Sequence, residues 1–302
     1  MAAAAPILSL FSVPKPFVGD AAIIQHNAIA SWTRLQGDCE IVLLGNDPGM
    51  AEVAARHGVR HEPTLPINEL GTPLLGEVFS RMNTVARSAI LGFVNADIIL
   101  LSDFIWSVRT VARSNERFLL VSSRYNCRVG QPLVFERGWE SVLRKQARDE
   151  NRMYPAAGSD LFVFPRGLFG SVPNFSVGRG YWDNWLLREA RRMHVSLIDA
   201  TAALTAIHQE HSYEHVPGIP ADSDEKLVYE SEEGQLNLAL AGGEGQLYTV
   251  FDANQVLTAN GRLFSTWRPS FAHRRIKASL RRILRSLTIA PGVYVRRKQS
   301  KK

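Results

Sequence analysis

The sequence predicts an α/β protein in which a mostly parallel central sheet is flanked by helices. Two observations lead to this fold class. Short apolar runs typical of buried strands alternate with segments of helical spacing through the first two thirds of the chain. Polar residues also follow several of these runs directly, and ligands in open α/β sheets bind outside the carboxyl ends of the strands.

The alternating segments can be placed along the chain from their periodicity and from the turn-forming residues between them. In chain order the first predicted elements are a strand at 7–13, a helix at 21–35, a strand at 40–45, a helix at 50–58, a strand at 59–63, a helix at 73–88 and one long strand at 89–101. Further strands are predicted at 118–124, 161–165 and 195–201, with helices around 139–149 and in the second part of 176–193.

The alternation ends near Val216, and the predicted domains follow from this change. Residues 1–215 form the main domain. Residues 216–270 are first acidic and then rich in Gly, and we expect an extension packed on the main domain. Residues 271–302 form a basic tail.

Composition limits the class of protein. With 45% hydrophobic residues in a chain of 302, a large buried core is expected. No apolar run approaches the roughly 18 residues of a spanning helix, and the opening MAAAAPILSL lacks the positive region of a signal peptide. Cys39 and Cys127 give no disulfide framework, which suits a reducing compartment. We therefore predict a cytoplasmic protein.

The tail carries the basic charge of the chain. Residues 271–302 contain eleven Lys or Arg and no acidic residue, whereas the rest of the chain carries 24 basic against 29 acidic groups. One helical face of the tail is apolar, formed by Ile276, Leu280, Ile283, Leu284 and Leu287. Such a helix could bind an anionic membrane surface, at the inner face of the membrane, or dock on the protein's own acidic surface. Because the tail lacks interleaved aromatic residues, no nucleic-acid partner is expected.

The stretch FVNADIIL (93–100) places polar residues in an otherwise apolar strand. Strand side chains repeat with period two, so Asn95 and Asp97 should share one face. At the carboxyl end of a strand their oxygens could bind Mg²⁺ or Mn²⁺. In the alternative interpretation Asp97 caps a turn or the helix that follows Ser102.

The stretch GRGYWDNW (178–185) combines two glycines, two tryptophans and Asp183 at the start of a helix. An apolar, aromatic environment favours the neutral carboxyl and raises its pKa toward the range of a general base. The alternative is a helix N-terminal Asp beside two core tryptophans.

Three histidines follow an apolar run in LTAIHQEHSYEH, and His208 is the best placed to bind a metal. His211 and His215 complete a spacing that could suggest zinc, but no fourth ligand with suitable spacing is nearby. A surface or core histidine is the alternative. In FSRMN (79–83), Arg81 could bind a diphosphate through its guanidinium, or it could be a solvated helix residue.

The four stretches FSRM, NAD, GRGYWDN and LTAIH, taken in order, resemble the A-type fold of nucleotide-sugar glycosyltransferases. The layout is most similar to the inverting β-1,4-galactosyltransferase type, which has a Phe-Asn-Arg-Ala helix, an Asp-x-Asp strand end, a Gly/Trp-rich loop ending in Glu-Asp-Asp and a strand ending in a metal-binding His. The opening LFSVPKPF also looks like the first nucleotide-binding loop of such enzymes. The resemblance covers roughly residues 6–215, and the whole chain looks like nucleotide-diphospho-sugar transferase-like proteins.

The resemblance implies a metal-dependent glycosyltransferase that uses a nucleotide-diphosphate sugar with Mn²⁺ or Mg²⁺. It implies the following roles: Phe79 and Arg81 at the diphosphate, Asp97 and His208 at the metal, Asp183 as base, Asp47 near the nucleoside, and Asp160 at the donor sugar or acceptor. Asn95 and Trp182 depart from the family pattern. The neutral Asn95 could bond a ribose hydroxyl or a metal-bound water and would weaken metal binding.

The implied reaction is transfer to a saccharide or a lipid-linked acceptor, as in polysaccharide or glycolipid synthesis, with inversion at the anomeric carbon. Two alternatives stay open. A sugar nucleotidyltransferase usually begins with a Gly-rich phosphate loop, which PKPFVGD (14–20) is not. A binding protein on a degenerate transferase scaffold would explain Asn95, although Arg81, Asp183 and His208 argue against it.

Overall fold

The computed structural model describes residues 6–35, 37–150, 152–153, 159–211 and 225–266. Its strands are β1 (Leu8–Ser12), β2 (Cys39–Leu44), β3 (Arg60–Glu62), β4 (Ile90–Val94), β5 (Ile98–Leu100), β6 (Phe118–Val121), β7 (Tyr125–Cys127), β8 (Leu161–Pro165), β9 (Ser196–Asp199), β10 (Ala206–Gln209), β11 (Gln255–Leu257) and β12 (Leu263–Ser265). Its helices are α1 (Gly19–Thr33), α2 (Met50–His57), α3 (Leu75–Val85), α4 (Asp103–Ala112), α5 (Trp139–Glu150), α6 (Trp182–Arg192), α7 (Glu225–Glu230) and α8 (Glu232–Leu240).

The large sheet of the described chain has nine strands in the order β12-β11-β9-β6-β8-β4-β1-β2-β3. Five neighbouring pairs are parallel, and the antiparallel pairs are β4–β8, β6–β8 and β11–β12. The predicted class, an α/β protein with a mostly parallel sheet, is therefore confirmed. The strand at 161–165 was predicted, but its antiparallel direction in the sheet was not.

Helices cover both faces of this sheet because alternate strand residues are apolar on opposite sides. In β1, Leu10 packs into the cluster that contains Trp32 of α1 and Phe104 of α4. The next residue, Phe11, packs into the cluster on the other face, which contains residues of α3 and α6. The sheet therefore has a buried core on each side.

The predicted strand 89–101 is two strands in two sheets. The Ile98 N–H donates to the Asn95 carbonyl over 3.2 Å, which closes a turn between β4 and β5. Beyond the turn, β5 pairs with β10 in a separate three-stranded sheet, ordered β5-β10-β7. The prediction of one strand is wrong because this turn ends β4 at Val94. The period-two argument for Asn95 and Asp97 therefore does not apply.

Residues beyond the main predicted domain contribute to the same sheet. Strand β11 pairs in parallel with β9, and β12 forms its outer edge. Residues 271–302, with their predicted amphipathic helix, and His215 lie outside the described residues. Among the described helices, none is long and apolar enough to cross a membrane.

Polar residues that follow or precede the strands collect at one edge of the large sheet. The parallel strands β1, β2 and β4 end there, so the segments that follow them, with Lys15, Asp47 and Asn95, lie at this edge. Strand β8 runs in the opposite direction, so Asp160, which precedes it, lies at the same edge. This edge is where ligands bind in open α/β sheets.

Candidate active site and metal-binding group

A cavity of about 660 Å³ lies at this edge of the sheet. Its wall includes six of the eight residues that the sequence and the resemblance point to: Asp47, Asn95, Asp97, Asp160, Asp183 and His208. A volume of this size is within the range of pockets for small molecules and cofactors. The structure therefore brings most of the predicted site residues into one pocket.

Asp97, His208 and His211 form a group whose ligand atoms all lie within 4.8 Å of one another. The register of β10 against β5 pairs His208 with Ile98, directly beside the turn that holds Asp97. Asp97 Oδ2 lies 3.6 Å from His208 Nε2 and 3.1 Å from His211 Nε2. The sequence had named His211 only within a discounted zinc spacing, and the structure places it beside Asp97.

The protonation states of this group suit a cation. Burial lowers the pKa of His208 to about 3, so its imidazole is neutral at physiological pH. Burial of Asp97 opposes its charge, but His208, His211 and Lys15 outweigh this and hold the Asp97 pKa well below its usual range. The carboxylate is therefore ionised, and both requirements for metal ligation are met.

Unsatisfied atoms test whether the group fits a metal. Asp97 Oδ1 is buried and has no hydrogen-bond partner in the described residues. A buried carboxylate oxygen without a partner is costly unless something else binds it. One carboxylate and two imidazoles are ligands for a divalent transition metal. The residues present therefore fit a divalent cation such as Mn²⁺.

Asp183 is the second residue of α6 and faces the same cavity. Burial, with a smaller contribution from the charge of the neighbouring Asp160, raises the pKa of its carboxyl to about 7. The backbone N–H of Ser159 donates to Asp183 Oδ2 over 3.3 Å and favours the ionised form. A carboxyl with a pKa near 7 can exchange a proton at physiological pH, as a general base must.

The tryptophans around Asp183 belong to the core. Trp182 and Trp185 are 4% and 7% exposed, and Trp182 packs edge-on against Phe93 with ring centroids 5.6 Å apart. Both rings therefore fill the core under α6, as the alternative interpretation of this stretch stated for the tryptophans. Trp182 also lines the cavity.

The loop before α6 needs glycine at one position for a clear reason. Gly180 has a φ of +75°, and a Cβ there would clash with the Tyr229 ring. Tyr229 in turn packs edge-on against Tyr181, with ring centroids 5.1 Å apart. All three residues line the cavity, so the close approach shapes its wall.

Asn95 and Asp160 form a polar pair on the cavity wall with Arg124. Asn95 Nδ2 donates to Asp160 Oδ1 over 2.7 Å, and Arg124 makes an ion pair with Asp160 Oδ2. Arg124 is only 8% exposed. Asn95 therefore donates to a carboxylate, which an ionised Asp at this position could not do.

The structure does not bring Phe79 and Arg81 to the cavity. Phe79 is 2% exposed and stacks on Phe164 in the core, with ring centroids 5.3 Å apart. Arg81 makes an ion pair with Glu62. Neither residue is in the cavity wall. The reason is geometric, since residues two apart on a helix point in nearly opposite directions, so they cannot share a ligand.

Asp47 follows β2 and lies on the cavity wall. Its predicted place near a nucleoside stays a prediction. Burial raises the pKa of this half-buried carboxyl. A carboxylate at this place can accept hydrogen bonds from the ring N–H of a base or from ribose hydroxyls.

Two further cations of the cavity wall were not predicted, Lys15 and Arg179. The pKa of Lys15 is lowered to about 8, because burial and the charge of Arg179, which lower it, outweigh the charge of Asp97, which raises it. Arg179 is buried and donates from Nε to Glu233 of α8 over 2.6 Å. Lys15 follows β1 in the opening loop that resembles a nucleotide-binding loop, and this position was the available signal.

No protein-family model matches the sequence, and no curated protein is a significant match. Among solved structures the chain is similar to glucosyl-3-phosphoglycerate synthase from Mycobacterium tuberculosis in complex with phosphoglyceric acid, at 18% identity over 79% of this chain and 81% of that chain, with a TM-score of 0.48. It is similar to the same enzyme in complex with Mn²⁺, UDP-glucose and phosphoglyceric acid, at 17% identity over 79% and 80% of the two chains, with a TM-score of 0.47. Likenesses of this degree carry no argument about activity, which has to come from the residues of this chain.

Proposed function

We propose that the protein is a metal-dependent glycosyltransferase that moves a sugar from a nucleotide-diphosphate sugar to an acceptor hydroxyl. One observation carries this proposal. A group able to bind a divalent cation, Asp97 with His208 and His211, and a half-buried carboxyl with a pKa of about 7, Asp183, face the same cavity. Such a cation can stabilise the departing diphosphate, and such a carboxyl can take the proton of the acceptor hydroxyl.

The three ligands favour Mn²⁺ over Mg²⁺. Mg²⁺ prefers oxygen ligands, whereas imidazole suits transition metals, and Mn²⁺ accepts both carboxylate and imidazole. When bound, the cation supplies positive charge to the departing diphosphate. The protein holds the ligands in place through the pairing of β10 with β5 and through the turn that ends at Ile98.

Asp183 is the base. The acceptor oxygen attacks the anomeric carbon, its proton passes to an Asp183 carboxylate oxygen, and the bond from the anomeric carbon to the phosphate oxygen breaks with its electron pair on the diphosphate. Attack from the side opposite the leaving group inverts the configuration. Burial of Asp183 supports this role, because it moves the carboxyl pKa close to physiological pH.

Asp160 and Asp47 bind the rest of the donor. Asp160 is held on the cavity wall by Asn95 and Arg124, and a carboxylate oriented in this way can accept hydrogen bonds from sugar hydroxyls. Asp47, which follows β2 on the cavity wall, would bind the nucleoside. The site therefore offers a separate acidic group for each part of the donor.

Release of the nucleoside diphosphate tests the proposal without knowledge of the acceptor. Purified full-length protein is incubated with nucleotide sugars of each base, UDP-glucose among them, with and without Mn²⁺, and the products are separated by chromatography. We expect Mn²⁺-dependent release from donors of one nucleotide class, either by transfer or by slow transfer to water. Asp97→Asn should abolish release, and Asp149→Asn, which removes a surface carboxylate of α5, should not.

The alternatives give different products in the same experiment. A nucleotidyltransferase would release pyrophosphate from a nucleoside triphosphate and a sugar phosphate. A binding protein would bind a nucleotide sugar and leave it intact at every enzyme concentration. Either result would contradict the proposed transferase.

A further inference from the structure

Lys15 lies in a loop whose backbone is unusually well fixed. It follows β1 between Pro14 and Pro16, and each proline restricts φ. The buried Gln25 side chain of α1 binds both backbone groups of Lys15: its Oε1 accepts from the Lys15 N–H over 2.6 Å, and its Nε2 donates to the Lys15 carbonyl over 3.0 Å. The backbone of Lys15, from which its side chain extends, is therefore held in place.

The Lys15 ammonium acts on the metal-binding group. Lys15 and Asp97 line the same cavity, and the charge of Lys15 lowers the pKa of both Asp97 and His208. A second buried amide fixes the other side of this arrangement, because Gln209 Nε2 donates to the carbonyls of Ile24 and Asp97 over 2.8 and 3.2 Å. Helix α1 thus ties the Lys15 loop to the turn that carries the metal ligand.

The arginines considered as phosphate ligands each make an ion pair with a carboxylate. Arg124 makes its ion pair with Asp160, and Arg179 makes its own with Glu233. Arg81, which the resemblance assigns to the diphosphate, is outside the cavity wall and makes an ion pair with Glu62. Lys15 lines the same cavity as Asp97 and its charge acts on that carboxylate, so it is the cation we assign to a diphosphate bound there.

We propose that Lys15 binds the donor diphosphate beside the metal and stabilises the leaving group, in the role that the resemblance implies for Arg81. This inference rests on the proposed function. It follows from the position of Lys15 on the cavity wall, the effect of its charge on Asp97, and the two hydrogen bonds between the Gln25 side chain and the Lys15 backbone. An ammonium binds phosphate oxygens as a compact charge with three donors.

The assignment predicts that removal of Lys15 weakens diphosphate binding but does not weaken metal binding. Without a diphosphate, the Lys15 charge repels a cation bound at Asp97, so its removal should leave Mn²⁺ affinity unchanged or increase it several-fold. With Mn²⁺ bound, removal of Lys15 takes away a charge-assisted hydrogen bond, so diphosphate affinity should fall about 10- to 100-fold. A purely structural role would weaken both.

Titration calorimetry of the full chain measures the two affinities separately. The probes are Mn²⁺ alone, and then UDP, GDP and ADP in saturating Mn²⁺. The variants are Lys15→Met, which removes the charge, and Lys15→Arg, which keeps it and should retain most of the diphosphate affinity. Arg81→Met is the matched control, because Glu62 keeps its ion pair with Arg60 at 2.8 Å.

The expected result is weaker diphosphate binding in Lys15→Met alone, with Mn²⁺ binding retained. Unchanged diphosphate binding in Lys15→Met, equal weakening of both probes, or a loss in Arg81→Met instead would overturn the assignment of Lys15 and leave the proposed function standing. Wild-type protein that binds none of the three diphosphates with Mn²⁺ would overturn both. If Lys15→Met does not fold, Lys15→Gln is measured in its place against the same criteria.

Discussion

Asp183 should make the protein less stable as the pH rises, because its carboxyl is easier to ionise in the unfolded chain than in the folded one. Its pKa is about 7 in the folded protein, against 3.8 as the reference value. Below about pH 4 both states are protonated and the residue has no effect. Above pH 4 the unfolded state ionises first, so stability falls until about pH 7 and then stays low.

The size of this effect follows from the two pKa values. Between pH 5 and pH 8 the calculated loss is about 2 to 3 kcal/mol, and the partial exposure of the side chain to the cavity favours about 2 kcal/mol. Asp183→Asn cannot ionise and avoids the loss. The variant should therefore be more stable than wild type at pH 8, by about 2 kcal/mol more than at pH 5, while it loses transfer activity.

Denaturant unfolding at pH 5, 6.5 and 8 measures the free energy of unfolding for wild type, Asp183→Asn and the control Asp20→Asn. Asp20 also lines the cavity but is exposed. The difference in the free energy of unfolding between Asp183→Asn and wild type should increase with pH, and the corresponding difference for Asp20→Asn should not change with pH. A constant difference for Asp183→Asn across this range would refute the raised pKa and remove the main support for Asp183 as base.

The other predictions concern the metal ligands and the cavity wall. His211→Ala should weaken Mn²⁺ binding about 10- to 100-fold in titration calorimetry, because one of three protein ligands is lost. The control His194→Asn, on the exposed surface, should bind Mn²⁺ like wild type, and equal affinities in both variants would remove His211 from the site. Gly180→Ala should lower the free energy of unfolding by about 2–4 kcal/mol, because its Cβ would clash with the Tyr229 ring. The control Gly178→Ala, with a similar φ and open space around it, should lower this free energy by only about 1 kcal/mol, and equal losses in both variants would contradict the clash.

The order of strands and helices was predictable because apolar periodicity determines which side of each element is buried. Strands β7, β11 and β12 were missed, since each has three residues and depends on its partners rather than on its own pattern. The break after Val94 was missed because the turn has no Gly or Pro, and its Asn95 and Asp97 were interpreted first as residues of a metal site on one strand. That turn decides which sheet receives Ile98 and where Asp97 lies.

The site was predictable where a residue directly precedes or follows a core strand. Asn95 directly follows β4 and Asp160 directly precedes β8, and the pairing of these two strands brings them together. His208 lies on β10 of the smaller sheet, and Asp47 follows β2 by three residues. Arg81 lies on a helix, where the face must also be known. The periodicity of α3 already contains this information, because its buried residues Leu75, Val78, Phe79 and Met82 define a face that excludes position 81.

Lys15 and His211 show the limit of motif reasoning. Lys15 is a single cation between two prolines, and its importance depends on the distant residues Gln25 and Asp97. His211 follows the end of β10 by two residues, and only the path of the chain after the strand decides that it meets Asp97. Asp97 is about 80 positions from Lys15 and about 110 from His211 in the sequence, and Gln25 lies on the helix after the Lys15 loop. Sequence spacing does not predict such contacts.

The most direct test of the central claim is a crystal structure of the protein grown with Mn²⁺ and a nucleoside diphosphate, with anomalous scattering data to locate the metal. The account predicts one strong manganese peak between Asp97, His208 and His211, at about 2.0–2.3 Å from their ligand atoms, with the diphosphate oxygens completing the coordination. A diphosphate bound in the cavity without metal at these residues, or manganese bound elsewhere, would contradict it.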